Sequence, residues 1–318
     1  MNILNPKTLG FLIIIFLGIL WPSSFIFADE ANKEDLDRMS VYKKTSAVTG
    51  IPWTYIAAVD QYERQIHKDA PKGRVTAFRP DPLFWNGVDT EPSFFPEGWK
   101  DNGNGDKKID MTNDEDIMWT LGKYIQSYGT TEEDIRIALW NYYKRDLTVQ
   151  TIMNTASVFE KYQTVSLKDR DFPVPITANY SYKNTWGDAR GFGGRRIHEG
   201  TDIFADYGVP VKSTTYGVIE MMGWNKFGGW RVGIRDIYNI YHYYAHLNGF
   251  EKGLQVGEVV KPGDVIGSVG STGYGPPGTS GKFPPHLHYG MYQDNGTNEW
   301  SFDPYPYLKR WERMAHNK

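Results

Sequence analysis

The sequence predicts an α+β chain of two domains, an all-α part followed by an all-β antiparallel sheet. Three observations carry this prediction. The chain has 318 residues, room for two domains at about 150 residues each. From about Asn32 to Gln163 apolar residues recur at helical spacing. From about Tyr180 onward glycines become dense and apolar residues alternate, as in Val209 and Val211, Gly217-Val218-Ile219, Val259-Val260 and Val265-Ile266, which is how short strands and their turns read. With 40% hydrophobic and 15% aromatic residues, the composition excludes a disordered chain.

Four segments follow in order: 1–28, 29–166, 167–184 and 185–318. The first reads as a sorting signal. Lys7 precedes the apolar run Leu9–Trp21, and Pro22-Ser23-Ser24 leads to a small residue, Ala28, where cleavage is expected. An uncleaved anchor is the alternative, and only then would a membrane be a partner; the chain is expected to be exported. In the helical segment, Pro52 opens a helix at Trp53. Asn113 through Asp116 place acids at the start of another. Thr130-Thr131-Glu132-Glu133 reads as a capping box, and a last helix spans about Leu147 to Tyr162. Five prolines and no clear period make His67–Lys100 a long loop. Segment 167–184 reads as a linker.

A net charge of −3 gives no basic field, so no nucleic-acid partner is expected. The chain has no cysteine, which excludes disulfides, thiolate nucleophiles and Cys-ligated zinc. Any metal centre must be built from imidazoles and carboxylates. Six of the seven histidines fall in segment 185–318, five of them between His198 and His288. His198 and Asp202 are four apart, and His286 and His288 are two apart. On a strand, positions separated by two or four share a face. Two imidazoles with one carboxylate make the ligand set of a catalytic zinc site that keeps a fourth position open. Tyr243-Tyr244-Ala245-His246-Leu247 reads as a further strand, and His242 would share the face of His246 if that strand were regular. His67 and His316, without partners in sequence, read as surface residues.

The stretches Arg196–Asp202, Tyr244–Leu247, Val259–Gly267, His286-Leu287-His288-Tyr289 and Phe302-Asp303-Pro304 resemble, in order and separation, the lysostaphin-type (M23) zinc peptidases of bacterial cell walls. The resemblance implies His198, Asp202 and His288 as ligands of one zinc ion. It implies His286 and His246 as the catalytic pair, His286 taking a proton from the attacking water and His246 donating to the oxyanion. The stretch Ser271–Lys282, longer than usual and carrying Pro276-Pro277, leaves the shape of the groove open. A non-catalytic scaffold of the same fold is the rival reading, but scaffolds lose a ligand and all three are present here.

The helical segment resembles lysozyme-like lytic transglycosylases along Gly50–Glu63, Asp101–Asp106 and Ala138–Tyr142, with Glu63 at the position of the general acid. Arg64 stands where that family has Ser, so glycan binding or a structural role is preferred to a bifunctional glycanase-peptidase. Asn102, Asn104 and Asp106 alternate like a Ca²⁺ loop, although Lys107 stands where such loops want Gly. The two segments together resemble cell-wall endopeptidases of spore-forming bacteria, which implies peptidoglycan as partner and cleavage of its stem peptides at L-Ala–D-Glu, in cell wall or spore cortex. That bond leaves the D-Glu α-carboxylate free, so a cation is expected beside it. Of Arg195, Arg196, Lys226, Arg231, Arg235 and Lys282, Arg231 is the choice, flanked as it is by Gly228-Gly229 and Gly233.

Overall fold

A computed structural model describes residues 23–87, 98–191 and 194–317. The apolar run Leu9–Trp21 lies outside them, and Ala28 falls within the first helix. No helix of the described residues is long and apolar enough to cross a membrane.

Among the described residues six helices come first: α1 (Ser23–Thr49), α2 (Trp53–Ile66), α3 (Pro82–Asn86), α4 (Asp114–Gln126), α5 (Glu132–Tyr143) and α6 (Asp146–Tyr162). Their ends are set by local chemistry. Asn113 caps α4 by accepting from the backbone N–H groups of Glu115 and Asp116. The capping box of α5 pairs Thr131 with Asp134, one residue beyond the expected pair, because the Thr131 hydroxyl reaches the Asp134 N–H. In the stretch expected to be all loop, Asp81 accepts from Leu83 and Phe84 ahead of Pro82, and α3 forms.

Twelve strands follow: β1 (Tyr180–Tyr182), β2 (Ala189–Arg190), β3 (Arg196–Ile197), β4 (Thr201–Ala205), β5 (Pro210–Lys212), β6 (Gly217–Asn225), β7 (Gly229–Asp236), β8 (Ile240–Phe250), β9 (Val259–Val260), β10 (Val265–Val269), β11 (His286–Asp294) and β12 (Glu299–Phe302), and then α7 (Tyr305–His316). The main sheet runs β1-β4-β11-β8-β7-β6-β9, with β12 on β11 and β10 joining β5 to β8, while β2 and β3 form a separate hairpin. All pairings in the sheet are antiparallel. Segment 167–184 does not hang free. It supplies β1 and buries Phe172 and Val174, and Pro173 O accepts from Lys212 N.

Burial of apolar surface organises the chain into two cores. The helical core holds Tyr42, Ile56, Ile117, Leu121, Ile152 and Phe159, and Val218 and Ile237 from the sheet side complete it. The second core packs Ile203, Ile234, Tyr244, Leu287 and Tyr289 under Trp311 of α7. A bidentate pair joins the two parts: Arg145, ahead of α6, donates to Asp294 at 2.7 and 2.9 Å. Asp294 ends β11, the strand whose other end carries His286 and His288, so the helices anchor the strand that bears two of the candidate site residues.

Candidate active site and metal centre

The pleat of β11 does what the two-residue spacing of its histidines requires. Leu287 and Tyr289 face the core, and His286 and His288 face the opposite side. The register pairs His288 with Asp202 and His286 with Phe204 on β4. His198 is not on a strand with Asp202, as its spacing suggested. It sits in the loop between β3 and β4 and swings over the sheet there. The turn needs glycine at position 200, where a Cβ would lie 2.6 Å from Cε1 of His288.

The three groups converge. Nε2 of His198 lies 3.0 Å from Oδ1 of Asp202 and 2.9 Å from Nδ1 of His288, and that Nδ1 lies 3.1 Å from the same oxygen. Their ligand atoms all fall within 4.8 Å of one another, the one such metal-capable group among the described residues. Each imidazole is aimed by what its other nitrogen or its backbone does. Nδ1 of His198 donates to Thr185 O at 2.7 Å, so Nε2 presents a lone pair. Burial, against the pull of Asp202, holds the His288 imidazole below its ordinary pKa. Burial pushes the Asp202 carboxyl up, but the neighbouring His198 and His288 imidazoles outweigh it and hold the group well below the usual carboxylate range. Deprotonated imidazoles and an ionised carboxylate are the states that a metal ion needs.

His286 and His246 stand beside this group, ring centroids 4.8 Å apart. Nε2 of His286 is 3.8 Å from Oδ1 of Asp202. His246 reaches the site through a β-bulge. The register of β7 with β8 shifts between Trp230 and Val232, and His246 takes a left-handed φ of 62°. Tyr241, Tyr243 and Ala245 line the groove by alternation, and the bulge adds His246 to that same side. His242 therefore does not share its face. It is buried behind the sheet, with Nδ1 2.6 Å from the Tyr289 hydroxyl and Nε2 3.1 Å from Asp236.

The tautomers revise one expected role. Nδ1 of His286 donates to Pro284 O at 2.9 Å and Nδ1 of His246 to Thr272 O at 2.8 Å. Both neutral rings thus turn a bare Nε2 to the groove, and burial lowers both, His246 to about 3. At rest His246 is an acceptor, so the oxyanion-donor role expected for it fails until it has gained a proton.

Further residues complete the groove, about 550 Å³ in volume. Arg231 lines it, its Nε buried without a hydrogen-bond partner and its side chain hydrogen-bonded to Tyr243. Arg235 is committed elsewhere, to Glu220 and Glu299. Arg190, absent from the expected cations, donates to Oδ2 of Asp202 at 2.7 Å. No spacing in the sequence signals that contact, which a two-strand hairpin creates.

One other expectation finds no support. The side-chain oxygens of Asn102, Asn104 and Asp106 accept from the N–H groups of Gly105, Asp106 and Lys108, closing turns. Calcium there has no support. His67 is exposed, as expected, and its Nε2 lies 3.1 Å from Oε2 of Glu63. The other carboxylate oxygen of Glu63 accepts from the Tyr143 hydroxyl at 2.6 Å, and the residue is 3% exposed. Its carboxylate is enclosed by protein rather than open to a substrate.

Comparison with known proteins agrees with this geometry. Residues 196–304 match the description Peptidase family M23. A relative from Bacillus subtilis named L-Ala--D-Glu endopeptidase is 58% identical over 323 residues, covering 96% of this chain and 99% of the relative. The chain belongs to peptidase family M23. Lysostaphin of Staphylococcus staphylolyticus is 36% identical over 115 residues, covering 36% of this chain and 22% of that protein. Among solved structures, the catalytic domain of lysostaphin from Staphylococcus simulans is 34% identical, covers 41% of this chain and 93% of that one, and has a TM-score of 0.34. M23 enzymes are zinc-dependent, and the His-Asp-His group of this M23 chain offers the donors that zinc takes.

Proposed function

We propose that this M23 endopeptidase hydrolyses the L-Ala–D-Glu bond of peptidoglycan stem peptides, in cell wall or spore cortex. The observation that carries the reading is the convergence of His198, Asp202 and His288 with two further imidazoles in one groove. A zinc ion at those three residues would supply the Lewis acid that acidifies water and polarises a carbonyl. Nε2 of His286 accepts the proton of the attacking water and returns it to the leaving amine. His246, its Nε2 equally bare, is the second acceptor in the groove.

Substrate choice rests on Arg231. The leaving D-Glu carries a free α-carboxylate, and no carboxylate pairs with Arg231 among the described residues. A charge-assisted bond of this kind contributes about 1.5–3 kcal/mol. A stem peptide with free D-Glu should therefore be cleaved with kcat/KM about 10–150-fold above its α-amidated analogue, and Arg231→Ala should erase most of that difference. Equal rates on the two peptides would reject the clamp.

The helical segment, lysozyme-like in sequence motif, is proposed as a brace for the sheet rather than a glycanase. Supporting this are the enclosed Glu63 and the Arg145–Asp294 pair on β11. Glu63→Gln should leave the products of peptidoglycan digestion unchanged by mass spectrometry. Anhydro-muramyl or new reducing ends that vanish in this variant would overturn the brace. His242 also serves the scaffold: His242→Ala leaves a cavity and takes one buried hydrogen bond each from Asp236 and Tyr289, which keep Arg170, Thr215 and Thr214 as partners, and should cost about 2–4 kcal/mol of stability, with kcat/KM within a few-fold of wild type. Burial lowers the His242 pKa in the folded protein. The unfolded chain then binds the extra proton, so stability is present above pH of about 6.5 and declines below it. Denaturant melts at pH 7.5 and 5.5 on metal-free protein check both effects. The acid loss should be smaller in His242→Ala.

A further inference from the structure

We propose that Arg190 is a positioning residue for the metal-binding carboxylate, a role that rests on the zinc reading above. The hairpin of β2 and β3 pairs Ala189 with Ile197 and Arg190 with Arg196. Its ladder runs on into the ligand loop, where His198 N donates to Asp188 O and Gly187 N donates to His198 O, each at 2.8 Å. One hairpin therefore delivers two groups to Asp202: His198 from one strand's end and the Arg190 guanidinium from the other strand. They meet different oxygens. Oδ1 faces Nε2 of His198 and Nδ1 of His288, and Oδ2 takes the 2.7 Å bond from Arg190. Among the described residues Arg190 is the one arginine or lysine paired with Asp202.

A carboxylate on a single χ2 torsion can present one oxygen to a metal ion or swing to present both. The guanidinium is planar, permanently charged and directional, so a bond to Oδ2 fixes which oxygen is left for the metal side. With Oδ2 occupied, Asp202 contributes one donor, and three protein donors leave a position for water and substrate. Arg190 is also 32% exposed at the rim of the groove. An ion pair of that exposure adds at most about 1 kcal/mol to folding, so its loss should leave the fold intact.

Orientation and simple Coulomb attraction give opposite signs. Deleting a cation next to a metal site should tighten a cation's binding if only charge matters. If Arg190 orients the ligand, its deletion should weaken binding, by the roughly 10–100-fold typical of groups that hold a metal ligand in place. The test uses the full chain, as wild type, Arg190→Gln and Arg190→Lys. The Kd for zinc is measured by competition with a chromophoric chelator, and coordination is read from the visible absorption of the cobalt(II)-loaded protein. The expected result is a Kd at least tenfold weaker in Arg190→Gln, partly restored in Arg190→Lys, with a weaker cobalt band as Asp202 gains a second donor oxygen. Circular dichroism of the metal-free variants should match wild type. A Kd in Arg190→Gln equal to or tighter than wild type overturns the positioning role while the zinc site stands. Failure of the wild type itself to bind zinc would instead overturn the reading beneath it.

Discussion

Alanine at His198, Asp202 or His288 should strip the protein of zinc and of activity together. Each residue supplies one of only three protein donors, and all three converge within 4.8 Å. Two donors compete poorly with water and buffer, and no neighbouring group stands ready to substitute. His286 is the nearest, at 3.8 Å from Asp202, but its Nδ1 is bound to Pro284 O, which fixes the plane of its ring. Loss should be largest for Asp202→Ala, since Arg190 would then stand beside the metal site with its charge uncompensated. Atomic absorption on the purified variants measures this directly. Stoichiometric zinc in all three would contradict the ligand assignment.

The second large effect separates metal from chemistry. His286→Ala should retain zinc yet lose about 10²–10⁴-fold in kcat/KM, the scale of a missing general base. His246→Ala should behave alike, because both rings turn an unprotonated Nε2 into the groove. Neither side chain belongs to the His-Asp-His group, so metal content stays at one per chain. If the pair acts as one relay, the double variant should lose little more than the worse single variant. A metal-free His286→Ala would exchange the roles of the two histidines of β11.

The legible part of this protein was what depends on period and on short-range chemistry. His286 and His288 could share a site only on an extended backbone, and β11 supplies one. The change from helical to alternating pattern marks where helices give way to strands. What escaped was created by departures from regular structure. Asp202 lies on β4 but His198 does not, because the chain turns at Gly200 under the ring of His288. His246 and His242 seemed equivalent on a regular strand, and one extra residue in β8 sends them to opposite faces. That bulge is held by the His246 N–H bonding Gly228 O and by a left-handed φ that no propensity forecasts for histidine. The hydrogen bonds that decide which nitrogen each imidazole offers come from Thr185, Thr272 and Pro284, and two of these three carbonyls are distant in sequence from the ring they orient. The short helix α3, by contrast, had an available signal in Asp81-Pro82 within a proline-rich stretch.

Purified peptidoglycan digested with the zinc-loaded protein, followed by mass spectrometry of the newly exposed amino termini, tests the central claim most directly. The account predicts new D-Glu amino termini paired with L-Ala carboxyl ends, abolished by a chelator and by Asp202→Ala. New termini at any other residue, or D-Glu termini that persist in the chelated protein, would contradict it.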